Sequence, residues 1–158
     1  MRTGARLGVD VGTVRVGLAR SDRDGLLATP LVTVQRRGRS VEQVVEAVLA
    51  AASEVEAMEI VVGLPVALSG RDTASTVDAR RVAAALAAAG PTPVRLVDER
   101  FTTVSATSAL HASGRDTRRS RSVIDQVAAV ILLQHALDVE RSRGGPPGVL
   151  ADPMESSE

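Results

Sequence analysis

Leu7-Gly8-Val9-Asp10-Val11-Gly12-Thr13-Val14-Arg15-Val16-Gly17-Leu18-Ala19 is the stretch on which the fold turns. Arg6 to Val11 is an apolar strand candidate. Gly12-Thr13 is a turn, and Val14 to Ala19 is a second apolar run, so the whole predicts a β-hairpin with Asp10 near the end of its first strand. Moving outward, Pro30 to Val34 predicts a third strand. Ser40 followed by Gln43 forms a capping-box pattern, and Val41, Val44, Val45, Val48 and Leu49 then repeat at helical spacing, predicting an amphipathic helix. Glu59 to Leu64 contains Ile60-Val61-Val62, a buried strand stopped by Gly63 and Pro65. Val77, Val82 and Leu86 mark a second helix ending at Gly90, with Pro91 and Pro93 beyond it. Val94 to Val97 predicts a fifth strand.

After Asp98-Glu99-Arg100 the pattern predicts a short helix from about Thr103 to Ala112, then an arginine- and serine-rich connector to Ser122. A last helix from Ser122 to about Val139 is apolar on most faces and is expected to be sandwiched in the core. The glycine- and proline-rich stretch after Arg141 predicts a disordered tail over 141–158, leaving one domain over 1–140. The order β-β-β-α-β-α-β-α-α predicts an α/β domain. Its sheet is mixed and five-stranded, a hairpin-led antiparallel trio extended by parallel strands, with helices on both faces. In such sheets functional groups gather at the carboxyl ends of the parallel strands, where Asp10, Gly63 and Glu99 fall.

Composition narrows the chemistry. The chain of 158 residues is 44% hydrophobic and contains no cysteine, which excludes disulfides, thiolate metal sites and cysteine nucleophiles. Any homodimer is therefore not disulfide-linked. His111 and His135 lack ligand partners at metal-site spacing and are expected to be structural. The opening Met1-Arg2-Thr3-Gly4 has no apolar signal region and no run is long enough to span a bilayer, so a soluble, cytoplasmic protein without membrane attachment is expected. Basic and acidic residues balance at 19 each, so one strongly basic field is excluded. Every basic residue is arginine, with clusters at Arg36, Arg37 and Arg39, at Arg80 and Arg81, and at Arg115, Arg118, Arg119 and Arg121. Phe101 is the only aromatic residue, so bases have no stacking platform, and a nucleic acid would be recognised by backbone and shape.

Three carboxylates are the candidate catalytic set: Asp10 at a strand end, Glu99 just after the fifth strand, and Asp125 in the first turn of the last helix. Phosphodiester hydrolysis needs an activated water and stabilised transition-state charge, and Mg²⁺ or Mn²⁺ held by carboxylates supplies both. Each acid also has an ordinary structural reading. Asp10 fits a turn former beside Gly12, Glu99 a surface partner of Arg95 or Arg100, and Asp125 a helix N-terminal acid. Likewise the Gly63 to Asp72 loop is either a phosphate cover or a plain turn, and Arg115 to Arg121 either a phosphate clamp or a solvated charge run.

The flanking words carry a resemblance. Leu7 to Asp22 with Ala28-Thr29-Pro30-Leu31, Val61-Val62-Gly63-Leu64-Pro65 with Gly70, Asp98-Glu99-Arg100-Phe101-Thr102-Thr103, and Asp125-Gln126-Val127-Ala128-Ala129 with Leu132-Leu133-Gln134 resemble, in order, four motifs of the RuvX/YqgF family. The resemblance runs from about Arg6 to Leu137. It implies an RNase H-like fold and a metal-dependent nuclease, with Asp10, Glu99 and Asp125 as metal-binding and catalytic residues. It also implies structured nucleic acid as partner, either a four-way DNA junction or the 5′ end of precursor 16S rRNA, and leaves both open. Many family members carry lysine where this chain has Val14, so Arg15 is the candidate replacement, with Arg71, Arg100, Arg118, Arg119 and Arg121 as further phosphate contacts. Two other readings stand beside it. Asp10-Val11-Gly12-Thr13 also resembles the first phosphate motif of the actin and sugar-kinase superfamily, although a chain of this length offers only one of the two domains such proteins close around a nucleotide. A non-catalytic RNA-binding protein of ribosome assembly would keep the same fold.

Overall fold

The computed structural model describes residues 1–100 and 117–153, with side chains described over 1–100 and 126–153. The hairpin forms as its pattern predicts: β1 (Arg6–Val11) and β2 (Arg15–Ser21) are antiparallel, with Asp10 opposite Gly17, and the Gly12 N–H donates to the Arg15 carbonyl at 2.9 Å to close the turn. The edge strand β3 (Ala28–Gln35) pairs with β2 across an irregularity at Leu18/Ala19. Its Pro30 fits because an edge position needs no ladder donor there. On the other side of β1 lie β4 (Glu59–Leu64) and β5 (Val94–Asp98), both parallel to it. The sheet has six strands rather than the expected five, because β6 (Val149–Leu150) adds antiparallel to β5, and the order is β3-β2-β1-β4-β5-β6.

Alternation along the strands divides the core into two layers. Leu7, Val9, Val11, Val16, Leu18, Ile60, Val62 and Leu96 face helices α1 (Val41–Glu54) and α2 (Ala74–Ala89). Both helices start at capping boxes: Ser40 with Gln43, as the sequence predicts, and Thr73 with Thr76. The opposite face carries Ala19, Ala28, Val61 and Val97 and receives Ala129, Leu132, Leu133, Ala136 and Leu137 from α3 (Thr117–Arg143). Those helix positions recur at the spacing of a single face.

Helix α3 departs from expectation at both ends. It starts at Thr117, so Arg118, Arg119 and Arg121 lie in its first turns and not in a connector. Arginine is a good helix former, and a helix anchored further along extends through such residues at little cost. At the other end it runs to Arg143, and Val149–Leu150 then pair with β5. The helix is not sandwiched, since Val127, Val130 and Ile131 are only half-buried. The expected Thr103–Ala112 helix, Arg115 and His111 lie outside the described residues.

Small residues let α3 approach the sheet closely. A Cβ added at Gly8 would stand 2.9 Å from Leu133 Cβ and 3.1 Å from the Ala129 carbonyl oxygen. Gln134 fixes the helix along its length by accepting from the Ala28 N–H at 2.9 Å and donating to the Leu26 carbonyl at 3.0 Å, and Gln126 donates to Thr33 Oγ1 at 3.0 Å. At the end where the parallel strands begin, a buried ion network ties the same elements. Arg6 donates to Glu140 Oε2 at 2.6 Å, Arg95 to Glu59 Oε2 at 2.6 Å, and Arg2 reaches both acids. Helix α3 therefore runs antiparallel to β1, with its N-terminal half toward the edge where β1, β4 and β5 end.

Candidate active site

Register explains how that edge becomes a site. Val9 pairs with Val62 and Gly63 with Val97, so Asp10, Gly63 and Val97 lie abreast and Glu99 stands one step beyond on the same α3-facing side. Glu99 meets Asp10 across β4 because Gly63 has no side chain. A Cβ there would overlap Glu99 Oε2 and stand 2.9 Å from Leu132 Cδ2. The glycine that ends the β4 motif is thus the window through which two carboxyl groups touch, a role its sequence context as a turn residue does not reveal.

The two acids form a proton-sharing pair. Glu99 is 9% exposed while Asp10 is half-buried. Burial first, then the Asp10 charge, the hydrogen bond with Asp10 and the Asp98 charge push the Glu99 carboxyl up to about 8. Near neutral pH Glu99 therefore keeps a proton and shares it with Asp10. Two carboxyl groups held in contact need either a proton or a cation between them, and their all-oxygen donor set suits a hard divalent ion such as Mg²⁺.

The structural alternative for Glu99, pairing with Arg95 or Arg100, is not how those arginines are used. Arg95 binds Glu59, and Arg100 binds Asp98, with its Nε donating to Asp98 Oδ2 at 2.8 Å. Although burial opposes it, this hydrogen bonding holds the Asp98 carboxyl below its ordinary range. Arg100 also donates to the Leu68 carbonyl at 3.4 Å. That contact joins it to the loop between β4 and α2, where the Ala67 N–H donates to the Arg71 carbonyl at 3.0 Å and Gly70 adopts φ +88°. This loop, Ser75, Glu99 and Arg100 line a cleft of about 330 Å³. Arg71 is exposed on the loop, and Arg15 is half-buried at the start of β2.

Of the three predicted acids, then, Asp10 and Glu99 come together. Position 125 lies on α3 one turn before Ala129, on the stripe that continues through Leu132 and Leu133, but its side chain, like those of Arg118, Arg119 and Arg121, lies outside the described ones. Arg36, which sequence clustering grouped with solvent-facing arginines, is instead a brace. It donates to the Gly12 carbonyl at 2.7 Å and to Asp78 Oδ2 at 2.6 Å, locking the hairpin turn to α2. His135 is exposed, and among the described residues no group of three or more His, Asp or Glu is gathered into a metal-binding cluster. Among these residues no helix is long and apolar enough to cross a membrane.

Comparison with known proteins matches residues 4–139 to a family model described as RuvX, Holliday junction resolvase. A Clavibacter michiganensis subsp. michiganensis protein named "Putative pre-16S rRNA nuclease" is 60% identical over 95% of this chain and 92% of its own length. One of the same name from Leifsonia xyli subsp. xyli is 52% identical over 97% of each chain. Among solved structures, T. thermophilus RuvC in complex with a Holliday junction substrate superposes with a TM-score of 0.55 at 19% identity, over 91% of this chain and 99% of that one. At that identity the likeness establishes the fold, which is RNase H-like.

Proposed function

Since the chain belongs to the RuvX family, we propose that it is a nuclease, a divalent-metal-dependent endonuclease that hydrolyses phosphodiesters in structured nucleic acid. The observation that carries this reading is the buried Asp10–Glu99 carboxyl pair at the carboxyl edge of the parallel strands. The family description and the names of its relatives support a Holliday junction or precursor 16S rRNA as substrate; our reading takes the substrate as a four-way DNA junction or the 5′ end of that rRNA, and the place of work as the cytoplasm.

Asp10, Glu99 and Asp125 are the proposed ligands of Mg²⁺ or Mn²⁺, which when bound would activate water and neutralise charge on the phosphoryl oxygens. The chain's own groups have distinct tasks. Asp10 and Glu99 would present carboxylate oxygens to such an ion, and because Glu99 would have to give up the proton it holds near neutral pH, metal loading would improve as pH rises toward 8. Gly63 keeps the two carboxyls in contact, with Leu132 packed beside it. Arg15, Arg71 and Arg100, with Arg118, Arg119 and Arg121 on α3, are the proposed phosphate contacts, Arg100 after release from Asp98.

Side-by-side incubation of the full chain with a four-way DNA junction and with precursor 16S rRNA, each with Mg²⁺ and with EDTA, tests the proposal. Metal-dependent cleavage of one or both is expected. Binding without cleavage under every condition would favour a non-catalytic role in ribosome assembly.

A further inference from the structure

The turn between β3 and α1 carries charges that no described residue neutralises. Its Arg39 N–H donates to the Arg36 carbonyl at 3.0 Å, and Gly38 takes φ +73°, a left-handed conformation natural to glycine. The turn is anchored. The Arg36 N–H donates to the Val14 carbonyl at 2.9 Å, and the Arg36 guanidinium holds the Gly12 carbonyl and Asp78. Arg36 is thus internally paired, while the side chains of Arg37 and Arg39 are exposed and make no hydrogen bond or ion pair among the described residues. Glu42 is the only acid within the adjoining sequence from Gln35 to Val45.

Position gives these cations a use. β3 is antiparallel to β2, which is antiparallel to β1, so β3 ends at the edge where β1 delivers Asp10. Thr33 lies abreast of Asp10, two strands or about 10 Å to the side, and Arg37 follows four residues further along, so the turn stands beyond Asp10 on the same edge. At the opposite edge Arg2, Arg6 and Arg95 are bound to Glu59 and Glu140, and Arg20 and Arg23 share a cleft with Glu54 and Glu56. Uncompensated positive charge is therefore displayed on the edge that holds the carboxyl pair.

We infer that the Arg37-Gly38-Arg39 turn is a second phosphate-contact site, gripping the sugar-phosphate backbone of a double-stranded arm of the substrate beside the Asp10–Glu99 pair. This rests on the nuclease reading above. Guanidinium forks match phosphate oxygens, and phosphates that recur along each strand and across a groove of roughly 12 Å let the backbone of an arm seated at the carboxyl pair reach the turn. With one aromatic residue in the chain, a splayed single strand has no stacking surface to hold it there.

The test is binding by fluorescence anisotropy in EDTA at several salt concentrations. Wild type, Arg37→Ala/Arg39→Ala and the opposite-edge control Arg20→Ala/Arg23→Ala are compared on a labelled four-way DNA junction, an RNA hairpin of equal arm length and a single strand. The Arg37/Arg39 variant should bind the double-stranded probes roughly tenfold more weakly per lost contact near 0.1 M salt, with the slope of log K against log salt shallower by about 0.9 per contact on DNA. The control should match wild type. Loss on only the DNA or only the RNA probe supports the inference and identifies which arm is gripped. Equal binding and equal slope for variant and wild type overturns the inference alone, and so does an equal loss in the control or on the single strand. Wild type that binds no probe removes both this inference and the nuclease reading.

Discussion

At the scale of single residues, Glu99 and Gly63 make opposite demands on the molecule. Glu99 is held protonated well above its ordinary range, so between about pH 4.5 and 8 the unfolded chain ionises this group while the folded one does not, and stability falls as pH rises through that window. Glu99→Gln keeps a hydrogen-bonding neutral group and removes the penalty. In chemical denaturation the variant should match wild type near pH 4 and exceed it by roughly 4 kcal/mol at pH 8, while nuclease activity is lost. A difference independent of pH would contradict the shared proton. Gly63→Ala puts a methyl where the Glu99 carboxylate lies and crowds Leu132. It should cost about 1–3 kcal/mol of stability and, by displacing Glu99, on the order of 10²-fold in turnover, read by thermal unfolding and single-turnover cleavage. Turnover near wild type would mean that Glu99 need not lie over residue 63. The sequence made Asp10 and Glu99 visible because they stand at the ends of strand-like runs. It could not display Gly63 as their window, because that depends on the parallel register of three strands distant in sequence.

Among the elements, α3 joins the site to the rest of the fold. Its N-terminal half faces the carboxyl edge, and its Glu140 is clasped by Arg6 and Arg2 at the other end. Arg6 is 1% exposed and Glu140 3%, so Glu140→Ala leaves a buried guanidinium without its carboxylate and should cost about 3–5 kcal/mol, measured by denaturant unfolding. A loss under about 1 kcal/mol would mean that water enters and relieves the charge. Neither the network nor the full length of this helix was legible beforehand. Arg6 and Glu59 look like ordinary flanks of apolar strands, and the arginine- and serine-rich run before Ser122 reads as a connector although arginine propagates a helix readily. The capping box at Ser40 was legible because it is local, needing residues three apart and no tertiary partner. The two-residue β6 was not, since so short a strand has no periodicity to detect.

Over the whole molecule, a chain of zero net charge separates its arginines by use. Arg2, Arg6 and Arg95, at the start of the parallel strands, are bound to internal acids, whereas Arg37, Arg39 and Arg71 are exposed at the carboxyl edge. Sequence clustering could count these arginines but could not tell Arg36, a brace on Asp78, from its neighbours. The mixed sheet was legible from the hairpin and the alternation of strands and helices that follows it, because connection rules leave few topologies. Asp10 and Glu99 together are the proposed cation-activated hydrolytic centre. It is tested most directly by single-turnover cleavage of a four-way DNA junction and precursor 16S rRNA by wild type and by Asp10→Asn, with matched Mg²⁺ and EDTA arms. Mg²⁺-dependent cleavage by wild type and a loss of at least about 10³-fold in Asp10→Asn are expected, with folding intact by circular dichroism. Cleavage by the variant at the wild-type rate, or by wild type in EDTA, would contradict it.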